Sequence, residues 1–444
     1  KNAINKRNSL FQNWLNNPSE RNHLVYKNFR NKVTSMIRIE KEEANYKRLG
    51  AEPTTRSIFR SLKSFKSQND NISNLPDLED LNKYFASIGP LLSSKFPPSD
   101  QSSMIRKIDN TMVIFPTNEL EVSKILNRMK NKKSFGYDGI SNEILKCCSP
   151  VIEGFLARAF NKALSEHIFP DNLKIAKVIP LLKKGNRDVL ENYRPISLLS
   201  SLSKVFESLL YKRMLNFCNR NNILSPNQYG FRSKRSCIDA ILSVTECIRD
   251  QVDKKQSGHV CFIDLQKAFD TLDHKILLEK LEKLGFRGVA NDVLKSYLQG
   301  RSQYISYGNT VTKNEQLHTG VPQGSILGPL LFLLYVNDLK SCKLNNKLTM
   351  FADDTSVVQT DEFPNNGITE DIKQIHEWCV TNKLSVNPKK CEVLSFGSKK
   401  CDSIVMSGFD IPNKKSCKYL GVHLDGQLKF NEHIKHVTNK LNQF

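Results

Sequence analysis

The sequence predicts an α+β fold, and three observations carry the prediction. From about Val113 to Phe396, segments with helical spacing alternate with short strand-like apolar runs. One run, His259-Val-Cys-Phe-Ile-Asp264, ends on a carboxylate. A further pair, Lys347-Leu-Thr-Met-Phe-Ala352 and Thr355-Ser-Val-Val358, flanks Asp353-Asp354 as the two arms of a hairpin would.

Taken in order, residues 1–70 read as basic helices, with 15 Lys/Arg against 6 Asp/Glu. Ile37, Ile39 and the charged run to Arg48 leave no clean apolar stripe there. The polar stretch Ser67–Asp77 reads as a linker. Lys174–Leu182 has strand character and is followed by a Lys-Lys-Gly turn, whereas Ile196–Arg213 carries apolar residues at helical spacing. After Asp264 a turn leads into a helix over Lys275–Leu284. The small-residue loop Thr319–Pro329 opens an apolar core helix, Leu330–Val336. Residues 398–444 form a tail with a strand pair around Ser416–Leu424 and the start of a helix. No internal repeat is present.

Composition bounds the function. At 444 residues and 39% apolar content the chain folds, with room for two or three lobes. A formal charge of +21 and a pI near 9.4 point to a polyanionic partner, most simply nucleic acid. Eleven cysteines include no CxxC pair, against a zinc finger or a secreted disulfide framework, and Cys147-Cys148 reads as two buried or half-buried thiols. Nine histidines without an HxxxH pair argue against a catalytic transition-metal site. Reduced thiols fit a nuclear or cytosolic setting. No apolar stretch nears the ~18 residues of a membrane helix, and no signal peptide is visible. The start at Lys1 and the stop at Phe444 read as cuts within a larger protein.

The carboxylates carry the chemistry. Neighbouring strands lie about 4.8 Å apart, and paired metal ions in phosphoryl-transfer sites about 3.5–4 Å apart. Asp264, Asp353 and Asp354 at adjacent strand ends are therefore spaced for two hard cations such as Mg²⁺, as in a polymerase metal site. An Asp pair in a turn is ordinary by itself, since Asp tolerates turn geometry; the surroundings make it specific. A strand that ends at Asp264 and turns at once leaves the Leu265 carbonyl free to ligate a cation and brings Phe269 back against the pocket. The glycines of Gly320-Val-Pro-Gln323-Gly324-Ser325 let backbone approach a ligand, and Gln323 can reach into it. Such loops before helices also occur for purely structural reasons.

Several motifs in fixed order give the family. They are Lys133-Ser-Phe-Gly-Tyr137-Asp138-Gly139-Ile140, Asn192-Tyr-Arg194-Pro-Ile-Ser197, Gln228-Tyr-Gly230-Phe231-Arg232 and Phe262-Ile-Asp264-Leu-Gln-Lys-Ala-Phe269-Asp270. Gly320-Val-Pro-Gln323-Gly324-Ser325, Phe351-Ala-Asp353-Asp354, Leu384-Ser-Val-Asn387-Pro-Lys-Lys390 and Tyr419-Leu-Gly421-Val422 complete the series. Over roughly residues 110–440 the chain resembles the reverse transcriptases of LINE-type (non-LTR) retrotransposons, of the jockey-like kind. Tyr137 stands where the family usually has Pro, a departure that touches the loop's geometry and not its role.

The resemblance implies a right-hand polymerase with a basic extension and linker over 1–109, fingers and a βαββαβ palm over 110–397, and the start of a thumb over 398–444. Asp264 and Asp353 would ligate two Mg²⁺ ions (Mn²⁺ as a substitute), with Asp354 in support and the Leu265 carbonyl as a further ligand. Lys183 and Arg194 would grip the triphosphate, the alternative for each being a surface cation. Gln323 and Gly324 would pack against nucleotide and template. Phe269 would be the steric gate against a 2′-hydroxyl, or else a core aromatic, and Lys390 a proton donor to pyrophosphate. Asp270, Asp273 and His274 read as turn and helix-start residues. Expected partners are template RNA, a DNA primer or target and dNTPs, in a nuclear and cytoplasmic ribonucleoprotein, with an endonuclease domain upstream in the full-length protein. A catalytically dead nucleic-acid-binding remnant and a group II intron-type maturase are the alternatives.

Overall fold

The computed structural model describes residues 2–49, 76–97, 105, 107–183, 185–359, 367–397, 404–406 and 408–442. Most of the expected linker at Ser67–Asp77 lies outside them. Two compact units divide the chain, Lys1–Asn74 and Leu75–Phe444.

In the first unit, α1 (Asn2–Asn16) and α2 (Glu20–Leu49) form a helical hairpin. Its seam is aromatic: Trp14 stacks on Tyr26 at 5.7 Å and Phe11 meets Tyr26 at 5.1 Å. α1 buries none of its residues, so this unit holds together by a narrow stripe, in keeping with its charged sequence.

The second unit is built on two five-stranded sheets. α3 (Leu78–Ser93), α4 (Glu119–Arg128), α5 (Asn142–Cys147) and α6 (Ser149–Ser165) lead into the first of them. Cys147 and Cys148 are exposed, not buried or half-buried as expected. They fall at the α5–α6 junction, where Leu145 and Ser149 take the inward positions instead. In the first sheet, β1 (Ile175–Leu182) pairs antiparallel with β2 (Tyr193–Leu199) and parallel with β4 (Arg301–Tyr307). β4 in turn carries β5 (Thr310–Val311) and β6 (Glu315–Leu317).

The helix expected from Ile196 begins later. Tyr193–Leu199 alternates between buried and more open positions, the period of a strand, and Pro195 pairs across to Pro180. Only after Ser200, whose Oγ accepts from the Leu202 and Ser203 amides, does α7 (Ser201–Arg220) start.

Past α8 (Cys237–Asp253) comes the second sheet. Its strands are β3 (Gly258–Ile263), β7 (Lys347–Phe351), β8 (Asp354–Val358) and β9 (Glu392–Phe396), in the antiparallel order β9-β3-β8-β7, with the short β12 (Asn413–Lys414) beside β9. Between β3 and β7 run α9 (His274–Lys283), α10 (Val289–Leu298) and α11 (Leu327–Tyr335). α12 (Gly367–Thr381) joins β8 to β9. The sheet thus reads β-α-β-β-α-β along the chain. α11 is apolar on every side and almost wholly buried, as a helix at the centre of a core must be. The tail carries the small pair β10 (Ile404–Met406) and β11 (Phe409–Ile411), then the hairpin of β13 (Ser416–Tyr419) and β14 (Val422–Asp425), and ends in α13 (Asn431–Leu441). No helix of the described residues is long and apolar enough to cross a membrane.

Candidate active site

One end of the second sheet gathers the carboxylates. β3 pairs with β8 through Ile263↔Thr355, so Asp264 leaves β3 beside the first residues of β8. β7 and β8 close at Phe351↔Asp354, which leaves Ala352-Asp353 as a two-residue turn and Asp354 as the first residue of β8. Ala352 adopts the left-handed φ of +55° that such a turn requires. In a non-glycine residue that conformation costs about 1–3 kcal/mol and is held by its surroundings.

The far side of β3 is fixed by the segment before β9. The Asp264 carbonyl accepts from the Asn387 amide at 2.8 Å and the Gln266 amide donates to Ser385 at 2.7 Å. This bracket makes Leu265 and Val386 a pair without mutual hydrogen bonds, so the Leu265 carbonyl points away from that neighbour. The Asp264 Oδ2 accepts from Lys390 Nζ at 2.9 Å and from Asn387 Nδ2 at 3.3 Å.

Charge is crowded here. Burial, then the charges of Asp353 and Asp264, push the Asp354 carboxyl up to about 6. Asp353 is also raised, by burial and by Asp264, against the pull of Arg194 and Lys390. Arg194 on β2 is therefore within electrostatic reach of the hairpin tip. Lys183 stands at the same end of the β1–β2 pair, its amide donating to Asn192 at 2.8 Å.

Among the described residues, no three His, Cys, Asp or Glu side chains stand close enough to cage a metal ion. Lys390 takes up part of Asp264 in this arrangement. The electrostatics nevertheless fit a cation: the charge of Asp264 helps raise both Asp353 and Asp354, Asp353 adds to the rise at Asp354, and a divalent ion would relieve that repulsion. Asp264, Asp353, Asp354 and the Leu265 carbonyl are the oxygen donors that suit Mg²⁺.

Gln323 belongs to a second cluster. Its Nε2 donates to both carboxylate oxygens of Asp270, at 2.9 and 3.0 Å. The loop around it is sewn to Phe269–Leu272: the Val321 amide donates to Phe269, the Gly320 amide to Leu272 and Thr319 Oγ1 to the Asp270 carbonyl. On its other side the Ser197 amide donates to the Gln323 carbonyl at 3.1 Å. Gly324, at φ +142°, passes so near that an added Cβ would stand 2.4 Å from the Ser197 oxygen. The buried Glu207 anchors the end of the loop, its Oε2 accepting from the Ile326 and Leu327 amides at the start of α11.

Asp270 is more than the turn residue expected of it. Burial pushes its carboxyl up to about 6 although Gln323, Lys267 and Arg194 all favour its charge. Its place directly after Phe269 in the Ala-Phe-Asp run was the available signal. His274 likewise exceeds a helix-start role, its Nε2 lying 2.8 Å from the Gly320 carbonyl, which makes that nitrogen the donor. Asp273 is the helix cap the sequence implies, accepting from Lys275 and Ile276. Phe269 stacks on Phe332 of α11 at 4.6 Å and meets Phe231 edge-on at 6.0 Å. One of its faces is thus core while the ring stays half-buried.

A β-α-β-β-α-β sheet that brings three acidic residues together at one end is a framework for nucleotide chemistry. Residues 181–424, more than half of the chain, match the reverse transcriptase (RNA-dependent DNA polymerase) family, and the chain belongs to it. It is 33% identical over 346 residues to the probable RNA-directed DNA polymerase from transposon BS of Drosophila melanogaster, covering 74% of this chain and 38% of that protein. It is 29% identical to the probable RNA-directed DNA polymerase from transposon X-element of the same organism, covering 77% of this chain and 38% of the relative. To the RNA-directed DNA polymerase from mobile element jockey of Drosophila melanogaster it is 28% identical, covering 71% and 36%. The chain spans well under half the length of these relatives.

Proposed function

We propose that this chain is the RNA-directed DNA polymerase of a non-LTR retrotransposon, copying element RNA into cDNA from dNTPs. The observation that carries the reading is the convergence of Asp264, Asp353 and Asp354 at one sheet end, with Asp354 pushed up to about 6. The order β3-α-β7-β8-α12-β9 supports a polymerase palm. The β1–β2 segment would then belong to the fingers and residues 398–444 to the start of a thumb.

Asp264 and Asp353, supported by Asp354 and the Leu265 carbonyl, would hold two Mg²⁺ ions, or Mn²⁺ in their place. Such ions, when bound, acidify a primer 3′-hydroxyl and neutralise triphosphate charge. The chain's own side chains supply the rest. Arg194 suits a triphosphate because its planar fork binds phosphate oxygens in pairs, and Lys183 adds charge at the same strand end. Phe269 would take the space of a ribose 2′-hydroxyl and so favour deoxynucleotides. Gln323 and Gly324 support the incoming nucleotide and template. Lys390, which donates to Asp264, would give a proton to departing pyrophosphate, a role of about 10²–10⁴-fold where it operates.

Template RNA, a DNA primer or target and dNTPs follow as partners, with a nuclear and cytoplasmic ribonucleoprotein as the setting and an endonuclease domain upstream in the full-length protein. The basic residues 1–70 would grip RNA phosphates. Each such contact releases counterion, so deleting this segment should lower RNA affinity and flatten its salt dependence; unchanged values would remove it from the interface. The direct test of the whole reading is primer extension on an RNA template with dNTPs and Mg²⁺. Extension by the parent chain that vanishes in Asp353→Asn/Asp354→Asn is the expected result. Binding of primer–template without extension would favour a nucleic-acid-binding remnant.

A further inference from the structure

The Gln228-Tyr-Gly230-Phe231-Arg232 run has no part in the chemistry above, yet it lies against the hairpin tip. The Met350 amide donates to the Asn227 carbonyl at 2.9 Å and the Tyr229 amide to Met350 at 2.8 Å, a one-residue parallel bridge on β7. The Gln228 side chain, only 3% exposed, reaches past this bridge to the turn. Its Oε1 accepts from the Ala352 amide at 2.9 Å and from the Gly230 amide at 2.8 Å. Its Nε2 donates to the Ala352 carbonyl at 3.4 Å. Two N–H donors on one oxygen fix which way the amide faces.

Ala352 is thereby held at both backbone groups in a left-handed conformation that L-residues avoid. Gly230 makes the approach possible: an added Cβ there would stand 2.3 Å from the Ala352 nitrogen and 3.0 Å from its Cα. The same loop is closed by Arg232, whose Nη1 donates to the Ser225 carbonyl at 2.6 Å. Its Phe231 abuts Phe269. One segment therefore touches both the residue that precedes Asp353 and the aromatic that follows Asp264.

We propose that Gln228 is a positioning residue for Asp353, fixing the left-handed turn that aims its carboxylate. The proposal deepens the polymerase reading and rests on it. Gln228 itself touches no reacting atom; it acts through the Ala352 backbone.

Gln228→Met keeps length and volume while removing donor and acceptor. Parent and variant are compared by hydrogen exchange of the 347–358 amides, by primer–template affinity and by primer extension across a Mg²⁺ series. In Gln228→Met the hairpin-tip amides exchange faster, extension falls about 10- to 100-fold with its optimum moved to higher Mg²⁺, and primer–template affinity stays. Adding Ala352→Gly, a residue at ease in the left-handed region, recovers much of the extension. Gln228→Glu retains the acceptor and keeps the tip protected, which covers the case in which the Met variant does not fold. The proposal is overturned by parent-like exchange and Mg²⁺ dependence in Gln228→Met. A loss that Ala352→Gly leaves untouched, or that follows affinity and melting alone, overturns it too. A parent chain that does not extend at all would defeat the polymerase reading, and hydrogen exchange would still decide whether Gln228 holds the turn.

Discussion

Asp354 at the hairpin tip and Asp270 behind the Gln323 loop both have carboxyls pushed up to about 6, for contrasting reasons. At Asp354 burial is reinforced by two more carboxylates, Asp353 and Asp264. At Asp270 burial acts against a compensated setting of Gln323, Lys267 and Arg194. At the first, the charge of Lys390 works against the shift, but its ammonium is paired with Asp264. The second already has its partners, and its charge serves to hold an amide in place. Similar upward shifts can therefore arise among crowded carboxylates in one place and at a hydrogen-bonded brace in another, and the neighbours tell them apart.

Three measurements sharpen that contrast. Phe269 stands between the two regions, and cutting it to Val should have the largest effect. Ribonucleotide use in Phe269→Val should rise about 10- to 200-fold relative to deoxynucleotide, the range one pocket contact commands. Unchanged discrimination would make the ring purely a core residue stacked on Phe332. Next, Asp270→Asn keeps one acceptor for Gln323 Nε2 and puts a donor where the other stood, which loosens the hold on Gln323. An increase of about tenfold in nucleotide KM, with a smaller change in kcat, is expected if uniform nucleotide binding is what the brace supports. An effect confined to kcat would place Asp270 with the hairpin carboxylates instead.

The smallest effect concerns stability. The folded pKa of Asp354 lies above its ordinary 3.8, at about 6, so across that window the folded chain binds more protons than the unfolded one. Stability from this group consequently falls as pH rises through the window, and its cost is complete at neutral pH. Discounted for solvent screening, the cost is on the order of 1 kcal/mol. Asp354→Asn should melt higher than the parent at pH 7, with the gap closing as pH drops below about 6. A gap that widened on acidification would reverse the assignment.

Much of this was legible in local sequence. The strand into Asp264, the hairpin around Asp353-Asp354, the apolar α11 and the Ser416–Leu424 strand pair all announce themselves through short-range periodicity and turn residues. Ile196–Leu199 misled because its apolar residues satisfy helical spacing as well as alternation, and only the partner strand β1 decides between them. Cys147 and Cys148 misled because the outward face at a helix junction is set by what packs on Leu145. Asp270 was hidden by distance: its partner Gln323 lies 53 residues away. Gln228 and Ala352 are separated by 124 residues, and no local rule connects an amide side chain to a turn that far off.

Whether Asp264, Asp353 and Asp354 form a cation site is tested most directly by thermal melting with and without Mg²⁺ at pH 7. Mg²⁺ should raise the melting midpoint of the parent chain, removing the deficit that Asp354 imposes, and should leave Asp353→Asn/Asp354→Asn unmoved. An equal rise in both proteins would mean that the ion binds elsewhere and that these carboxylates are not its site.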